Sequence, residues 1–231
     1  MELKDRDSMK KAVAREALNF VEDDMVIGLG TGSTTAYFID YLGKLIAEEG
    51  LEVYGVPTSY QARLLAIKSG VPLASLDEFD GVDLAVDGAD EVDPELNLIK
   101  GRGAALTMEK CIEYRAGTFV VLVDESKLVG RLGEKMPVPV EVIPTVWRVV
   151  AEELEVFNAE AELRMAEKKD GPVVTDNGNF IVDARFSRID DPLDLEIELN
   201  TIPGVVENGI FADMADVVLV GTEGGVRKLE R

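Results

Sequence analysis

Apolar positions along this chain recur with two periods. Met9, Ala12, Val13, Ala17, Leu18 and Phe20 fall at helical spacing with charged residues between them, which predicts a surface helix over residues 4–21. Met25–Leu29 is a short apolar run and predicts a buried strand, while Ala36, Phe38, Ile39, Leu42, Leu45 and Ile46 behind it return to the helical period. The scheme then repeats. A strand is expected over Leu51–Val56, a helix over Ser59–Ser69 with Ala62, Leu65 and Ala66 inward, a short strand over Val71–Ala74 and another over Val82–Val86. A helix over Ala104–Arg115 and a fully buried strand over Phe119–Val123 follow. Strand alternating with helix predicts an α/β fold with a doubly wound, mostly parallel, Rossmann-like sheet.

The texture changes after Asp124-Glu125-Ser126-Lys127. Strand Val138–Ile143, helix Val146–Phe157, strands Glu162–Ala166 and Phe180–Ala184, helix Leu193–Thr201 and strand Val205–Phe211 give the order β-α-β-β-α-β. That order predicts a ferredoxin-like α+β domain inserted over residues 130–211. Residues 1–129 and 212–231 are then the Rossmann-like catalytic domain, which Val217–Val220 rejoins as a last strand. An insert of this kind leaves a sheet face and edges to cover, so self-association through it, as a homodimer or homotetramer, is expected.

Composition narrows the chemistry. With 231 residues, 46% of them hydrophobic, the chain has enough apolar surface for a sizeable core. Its 24 basic and 45 acidic residues leave a net charge of −21, which repels nucleic-acid phosphates and anionic membranes, so neither is an expected partner. The opening MELKDRDSMKK has no apolar leader and the lone Cys111 has no internal disulfide partner; a cytoplasmic location is expected. There is no histidine, so imidazole acid–base chemistry and His-ligated metal are excluded, and proton transfer falls to carboxylates and lysines. No metal site and no cofactor are expected.

Two stretches carry candidate chemistry. Gly28-Leu29-Gly30-Thr31-Gly32-Ser33-Thr34-Thr35 stands between a strand and a helix. Glycines let backbone amides approach a ligand, a helix N-terminus adds partial positive charge, and the hydroxyls add donors, so this turn suits phosphate; a purely structural turn is the alternative. It matches neither a P-loop nor a dinucleotide fingerprint. The second stretch, DGADEVDPELNLIKGRGAALTME over Asp87–Glu109, reads as a ligand loop at the carboxyl edge of a sheet or, equally, as an acidic solvated turn. Asp87 and Asp90 follow a strand end and are expected to stay solvated. Glu109 shares a helical stripe with Ala104, Ala105, Met108, Cys111 and Ile112, so it is expected to be half-buried and Cys111 to lie in the core. Partial desolvation raises a carboxyl pKa towards neutrality, as a general base requires; an exposed helical glutamate is the alternative.

A phosphate cradle, a carboxylate cluster, lysines and a shielded glutamate form the set that aldose–ketose isomerisation through an enediolate needs. The motifs GLGTGSTT, PTS, DGADE, KGxGAA with EK behind it, VDESK, VEVIP, TDNGN and IPGVVENGIF, in that order over nearly the whole chain, resemble ribose-5-phosphate isomerase of the A type. The resemblance implies reversible conversion of D-ribose 5-phosphate to D-ribulose 5-phosphate, without metal or cofactor. It implies that Glu109 accepts the proton and that Thr31, Gly32, Ser33 and Thr34 line the sugar-phosphate site. It also implies that Asp87, Gly88, Ala89 and Asp90 contact the sugar and assist ring opening, and that Lys100, Gly101, Arg102 and Gly103 hold the enediolate oxygens. Lys127 would bind substrate and Lys10 would reach the phosphate. Arg102 departs from the resemblance, since a glycine is usual there, and either takes a glycine-like conformation or sits in a relaxed loop. Two rival readings are a sugar-phosphate-sensing regulatory domain, which needs the cradle but not the base, and another phosphosugar isomerase on the same fold.

Overall fold

Glycine and hydroxyl punctuation sets the element boundaries. The helices over residues 35–49 and 60–69 both stop at a left-handed glycine, Gly50 and Gly70, and the second starts where the Ser59 hydroxyl accepts from the Ala62 amide. The computed structural model describes residues 3–231. In chain order its elements are α1 (Leu3–Glu16), β1 (Val26–Leu29), α2 (Thr35–Glu49), β2 (Tyr54–Pro57), α3 (Tyr60–Ser69), β3 (Val82–Gly88), β4 (Glu91–Val92), β5 (Leu98–Ile99), α4 (Leu106–Glu113) and β6 (Ala116–Asp124). Then come β7 (Val138–Val142), α5 (Trp147–Val156), β8 (Ala159–Leu163), β9 (Phe180–Phe186), α6 (Pro192–Asn200), β10 (Val205–Asn208), β11 (Ile210–Phe211), β12 (Val217–Thr222) and β13 (Gly225–Glu230). The chain divides into two compact units, residues 1–89, 108–127 and 214–231 in one and residues 90–107 and 128–213 in the other.

The first unit is built on a six-stranded sheet in the order β13-β12-β6-β3-β1-β2. All neighbours are parallel except β12 and β13. Period-2 alternation sends Ile27 and Leu29 into a core with Phe38, Ile39, Leu42, Ala62 and Ala66 of α2 and α3. On the other face Gly28 meets α4, for a Cβ there would lie 2.7 Å from Ile112 Cγ2. Helices cover both faces, as a parallel sheet requires.

The second unit holds a four-stranded antiparallel sheet in the order β10-β7-β9-β8, the ferredoxin-like arrangement. Val138, Val140 and Val142 of β7 pack with Val150 and Leu154 of α5 and Leu199 of α6. Glu141 points the other way and is wholly buried. Its carboxylate accepts from Thr107 Oγ1 (2.6 Å), Thr175 Oγ1 (2.8 Å), Asn177 Nδ2 (3.1 Å) and Asn179 Nδ2 (2.9 Å), tying the 175–179 turn to β7. A small sheet, β11-β5-β4, completes the unit.

Several boundaries differ from the sequence-based expectation, each for a local reason. The first helix gives way at Glu16 to a tight 3-10 turn over Ala17–Phe20. Residues 71–74 form a single parallel bridge, Gly55 with Leu73, instead of a strand. The fourth helix begins at Leu106 because Ala104, at φ 58°, cannot belong to a right-handed helix. The expected strand over 205–211 splits at Gly209, where a Cβ would come 2.3 Å from the Lys100 carbonyl oxygen, so Ile210–Phe211 pairs with β5 instead of β7. β8 starts three positions early, at Ala159 in place of Glu162. β4 and β5 are too short for any periodicity to show, and β13, a largely exposed edge strand, was not anticipated.

The Glu141 node makes a stability prediction. Glu141→Ala leaves its donors without an acceptor, and hydrogen bonds to a charged group contribute about 1.5–3 kcal/mol each, so unfolding in denaturant should show a loss of about 2–4 kcal/mol. A loss below about 0.5 kcal/mol would show that the node does not hold the unit together.

Candidate active site

In an open parallel sheet, ligands bind outside the carboxyl ends of strands where the strand order reverses. In the first unit that point lies between β1 and β3, since β2 extends the sheet on one side and β6 on the other. Gly30, just past β1, donates to the Val86 carbonyl at 3.0 Å. A Cβ on Gly30 would lie 2.1 Å from Asp87 Cγ, so the carboxylate of Asp87 occupies the space that the glycine leaves. Asp87 Oδ1 accepts from the amides of Thr31 at 2.9 Å and Gly88 at 2.6 Å. Asp87 is only 1% exposed, which corrects the expectation of a solvated strand-end carboxylate: it is still inside β3, shielded by the turn it organises.

The turn itself is the candidate anion cradle. Gly32 sits at φ 124°, and Thr34 precedes α2 without capping it through its side chain; the amides of Ala36 and Tyr37 donate instead to the carbonyls of Gly32 and Thr34, both at 3.1 Å. Lys10 Nζ donates to Ser33 Oγ at 2.9 Å, which places an ammonium at the cradle from α1. A neighbouring brace holds α1 there: Asp7 accepts from Tyr37 OH at 2.5 Å and pairs with Lys11 Nζ at 2.6 Å. The bond from Lys11, and then that from Tyr37, holds the Asp7 carboxyl below its usual range. Because the folded-state value is the lower one, the brace is present above the ordinary value of 3.8 and is lost as pH falls through the folded value.

Three residues that sequence reading did not place in the site brace this turn. Thr31 Oγ1 lies 2.8 Å from Thr58 Oγ1 and donates to Ser59 Oγ at 2.6 Å, and the Gly32 amide donates to Gln61 Oε1 at 3.0 Å. Thr58 and Ser59 belong to the PTS motif that carried part of the family resemblance; Gln61 gives no local signal.

Glu109 lies on α4, which links the parallel strands β3 and β6 and so runs back against them. Its N-terminal end therefore faces the carboxyl edge, and Glu109 stands one turn nearer that edge than Ile112, which touches Gly28. At 4% exposure Glu109 is buried more deeply than the half-burial expected. Lys110 and Glu113 are buried as well, whereas Cys111 is exposed, so the expected core position for Cys111 is corrected. Ala105 and Ile112 are buried, as expected, and the buried arc of α4 takes in Glu109, Lys110 and Glu113 while leaving Cys111 outside. Lys127 ends a short 3-10 turn after β6, held by Asp124 Oδ1 accepting from the Ser126 amide at 2.9 Å. Lys10, Thr31–Thr34, Asp87–Ala89, Glu109 and Lys127 thus all fall in the first unit.

Asp90 and Lys100–Gly103 belong to the second unit. Lys100 is 2% exposed, with Nζ 5.4 Å from the centre of the Phe211 ring and its amide on the Gly209 carbonyl at 2.9 Å. Asp90 Oδ2 accepts from the Arg102 amide at 2.9 Å. Arg102 does not take a positive φ; Gly101, at φ 105°, carries the left-handed conformation and Arg102 is left exposed in a well-anchored loop.

The sequence profile of the family described as ribose 5-phosphate isomerase A (phosphoriboisomerase A) matches residues 54–225. The chain belongs to that family. It is 77% identical over 226 residues to ribose-5-phosphate isomerase A of Thermococcus kodakarensis, covering 97% of this chain and 99% of the relative. It is 56% identical to that of Methanocaldococcus jannaschii over the same length and shares. A solved D-ribose-5-phosphate isomerase in complex with phospho-erythronic acid superposes with a TM-score of 0.96 at 70% identity, covering 100% of both chains. The ribose 5-phosphate isomerase A structure from Methanocaldococcus jannaschii gives 0.95 at 55% identity, covering 98% of this chain and 100% of that one. The protein is therefore an aldose–ketose isomerase interconverting D-ribose 5-phosphate and D-ribulose 5-phosphate. No helix among its described residues is long and apolar enough to cross a membrane.

For an isomerase of this family, the packing of Gly30 on Asp87 has a direct consequence. Gly30→Ala drives a methyl into the carboxylate, and overpacking of this kind costs about 1–3 kcal/mol. Both the melting temperature and turnover of ribose 5-phosphate should fall, and an alanine variant matching wild type in both would show that the contact is easily relieved.

Proposed function

We propose that Glu109 is the base of the isomerisation and that the Thr31–Thr34 turn with Lys10 binds the phosphate. The observation that carries this reading is the burial of Glu109 on the sheet-edge end of α4, in the unit that also supplies the cradle. On this reading Glu109 removes the C2 proton of the open-chain aldose and returns it to C1. The proton on the C2 hydroxyl passes to the C1 oxygen, so the bonding change is balanced without any other reactant. Asp87, Gly88, Ala89 and Asp90 bind the sugar hydroxyls and assist ring opening, Lys100–Gly103 hold the enediolate oxygens and Lys127 binds substrate, as the family resemblance implies.

Glu109→Gln keeps shape and hydrogen bonding but removes the base. Turnover should fall roughly 10²–10⁴-fold with little change in sugar-phosphate affinity. Incubation of both proteins with ribose 5-phosphate in deuterated water, following ketose formation and deuterium entry at carbon, is the measurement; wild-type turnover in the variant would sink the assignment.

We further propose that the protein self-associates as a homodimer or homotetramer through the second unit. Val149 and Val156 of α5 and Leu193 and Ile197 of α6 expose apolar side chains, and β8 and β10 are sheet edges. Light scattering at micromolar concentration should show a dimer or tetramer, and a monomer there would contradict this.

A further inference from the structure

Arg164 stands just past β8 and is largely buried, with 17% of its side chain exposed. Its Nε and Nη2 donate to the two oxygens of Asp183 on β9, at 2.8 and 2.5 Å, a planar fork that fixes the guanidinium in place. The remaining nitrogen, Nη1, donates to the Gly101 carbonyl at 2.9 Å and the Arg102 carbonyl at 3.1 Å. One cation thus holds two consecutive peptide groups of the Lys100–Gly103 loop.

The consequence follows from peptide planarity. The 101–102 peptide is clamped at both ends, its carbonyl by Arg164 and its N–H by Asp90 Oδ2 at 2.9 Å. The 102–103 peptide is trans, so anchoring its carbonyl on Arg164 directs the Gly103 N–H to the opposite side. A cation at the carbonyl also polarises the peptide and strengthens that N–H as a donor. A lysine in this position would lack the fork that grips Asp183.

We propose that Arg164, braced by Asp183, is a positioning residue for isomerisation: it sets the orientation of the Lys100–Gly103 loop and aims the Gly103 amide at an oxygen that becomes negative in the enediolate. The inference rests on the reading that this loop binds the substrate oxygens. Arg164 acts through the loop's two carbonyls, so its effect falls on the chemical step more than on recognition of the sugar phosphate.

The test compares kcat and KM for ribose 5-phosphate in wild type, Arg164→Gln, Asp183→Asn and Lys100→Ala, each corrected for its folded fraction by circular dichroism. Arg164→Gln should lose roughly 10–100-fold in kcat, the scale of a small misplacement of catalytic groups. Its KM should stay within about 3-fold of wild type, because the lost interaction is made in the transition state. Asp183→Asn, which loosens the guanidinium without removing it, should show a smaller loss in the same direction and serves if the first variant does not fold. Wild-type kcat per folded molecule in Arg164→Gln, with a loss in Lys100→Ala, would overturn the positioning role alone. Wild-type kcat in Lys100→Ala would show that the loop does not serve the enediolate, and the inference would fall with that reading.

Discussion

The carboxylate of Asp87 is the contact on which the Gly30–Thr34 turn depends. It sits at the end of β3 in the space left by the absent side chain of Gly30, and it accepts the amides of Thr31 and Gly88. By binding one amide from each of the two strand ends at the switch point, it fixes the Gly30–Thr34 turn against β3. A charged acceptor is suited to this because hydrogen bonds to an ionised group are shorter and stronger than neutral ones. The arrangement is reciprocal: Gly30 permits the carboxylate, and the carboxylate shapes the turn that follows Gly30.

Buried carboxylates do similar structural work in the second unit, which changes the meaning of the acidic composition. Glu91, the last residue of DGADE, is wholly buried and accepts from the amides of Gly133, Lys135 and Met136 at 2.5–2.7 Å. Asp93 accepts from the amides of Glu95 and Asn97 and from the Asn97 side chain, closing a turn in which Leu96 is left-handed. Burial pushes the Asp93 carboxyl up, against the opposing pull of the Asn97 bonds. A net charge of −21 speaks to partners and solubility, but several of the acidic side chains behind it face inward and hold loops.

The catalytic assignment draws on the same economy of environment. Asp87, Asp90 and Glu109 are carboxylates with different surroundings. Asp87 accepts two backbone amides through Oδ1, Asp90 accepts the Arg102 amide through Oδ2, and Glu109 projects from the buried face of a short helix. Roles separate when environments separate. The loop carrying Lys100 is likewise set by its surroundings more than by its own sequence. Gly101 supplies the left-handed residue, while Asp90 and Arg164 fix the peptides on either side of Arg102, so a bulky residue is accommodated where glycine would serve.

By itself the sequence determined the layer architecture, because both periods of hydrophobic alternation are local and strong: the parallel sheet, the β-α-β-β-α-β insert and the glycine-rich turn before α2 could all be read from it. The absence of histidine restricted the acid–base chemistry before any contact was known, and eight ordered motifs pointed to the family. Tertiary structure decided which charged residues are inside. Glu109, Lys110 and Glu113 lie on the buried arc of α4 while Cys111 lies outside; a hydrophobic stripe puts Glu109 only half inward and Cys111 in the core, because it infers direction from residue type. It also decided the joining of residues distant in sequence, Arg164 with Gly101 and Arg102, Glu141 with Thr107 and Asn179, Thr31 with Thr58 and Ser59. Such bonds depend on register and side-chain direction across separate elements. Local propensity carries no record of either.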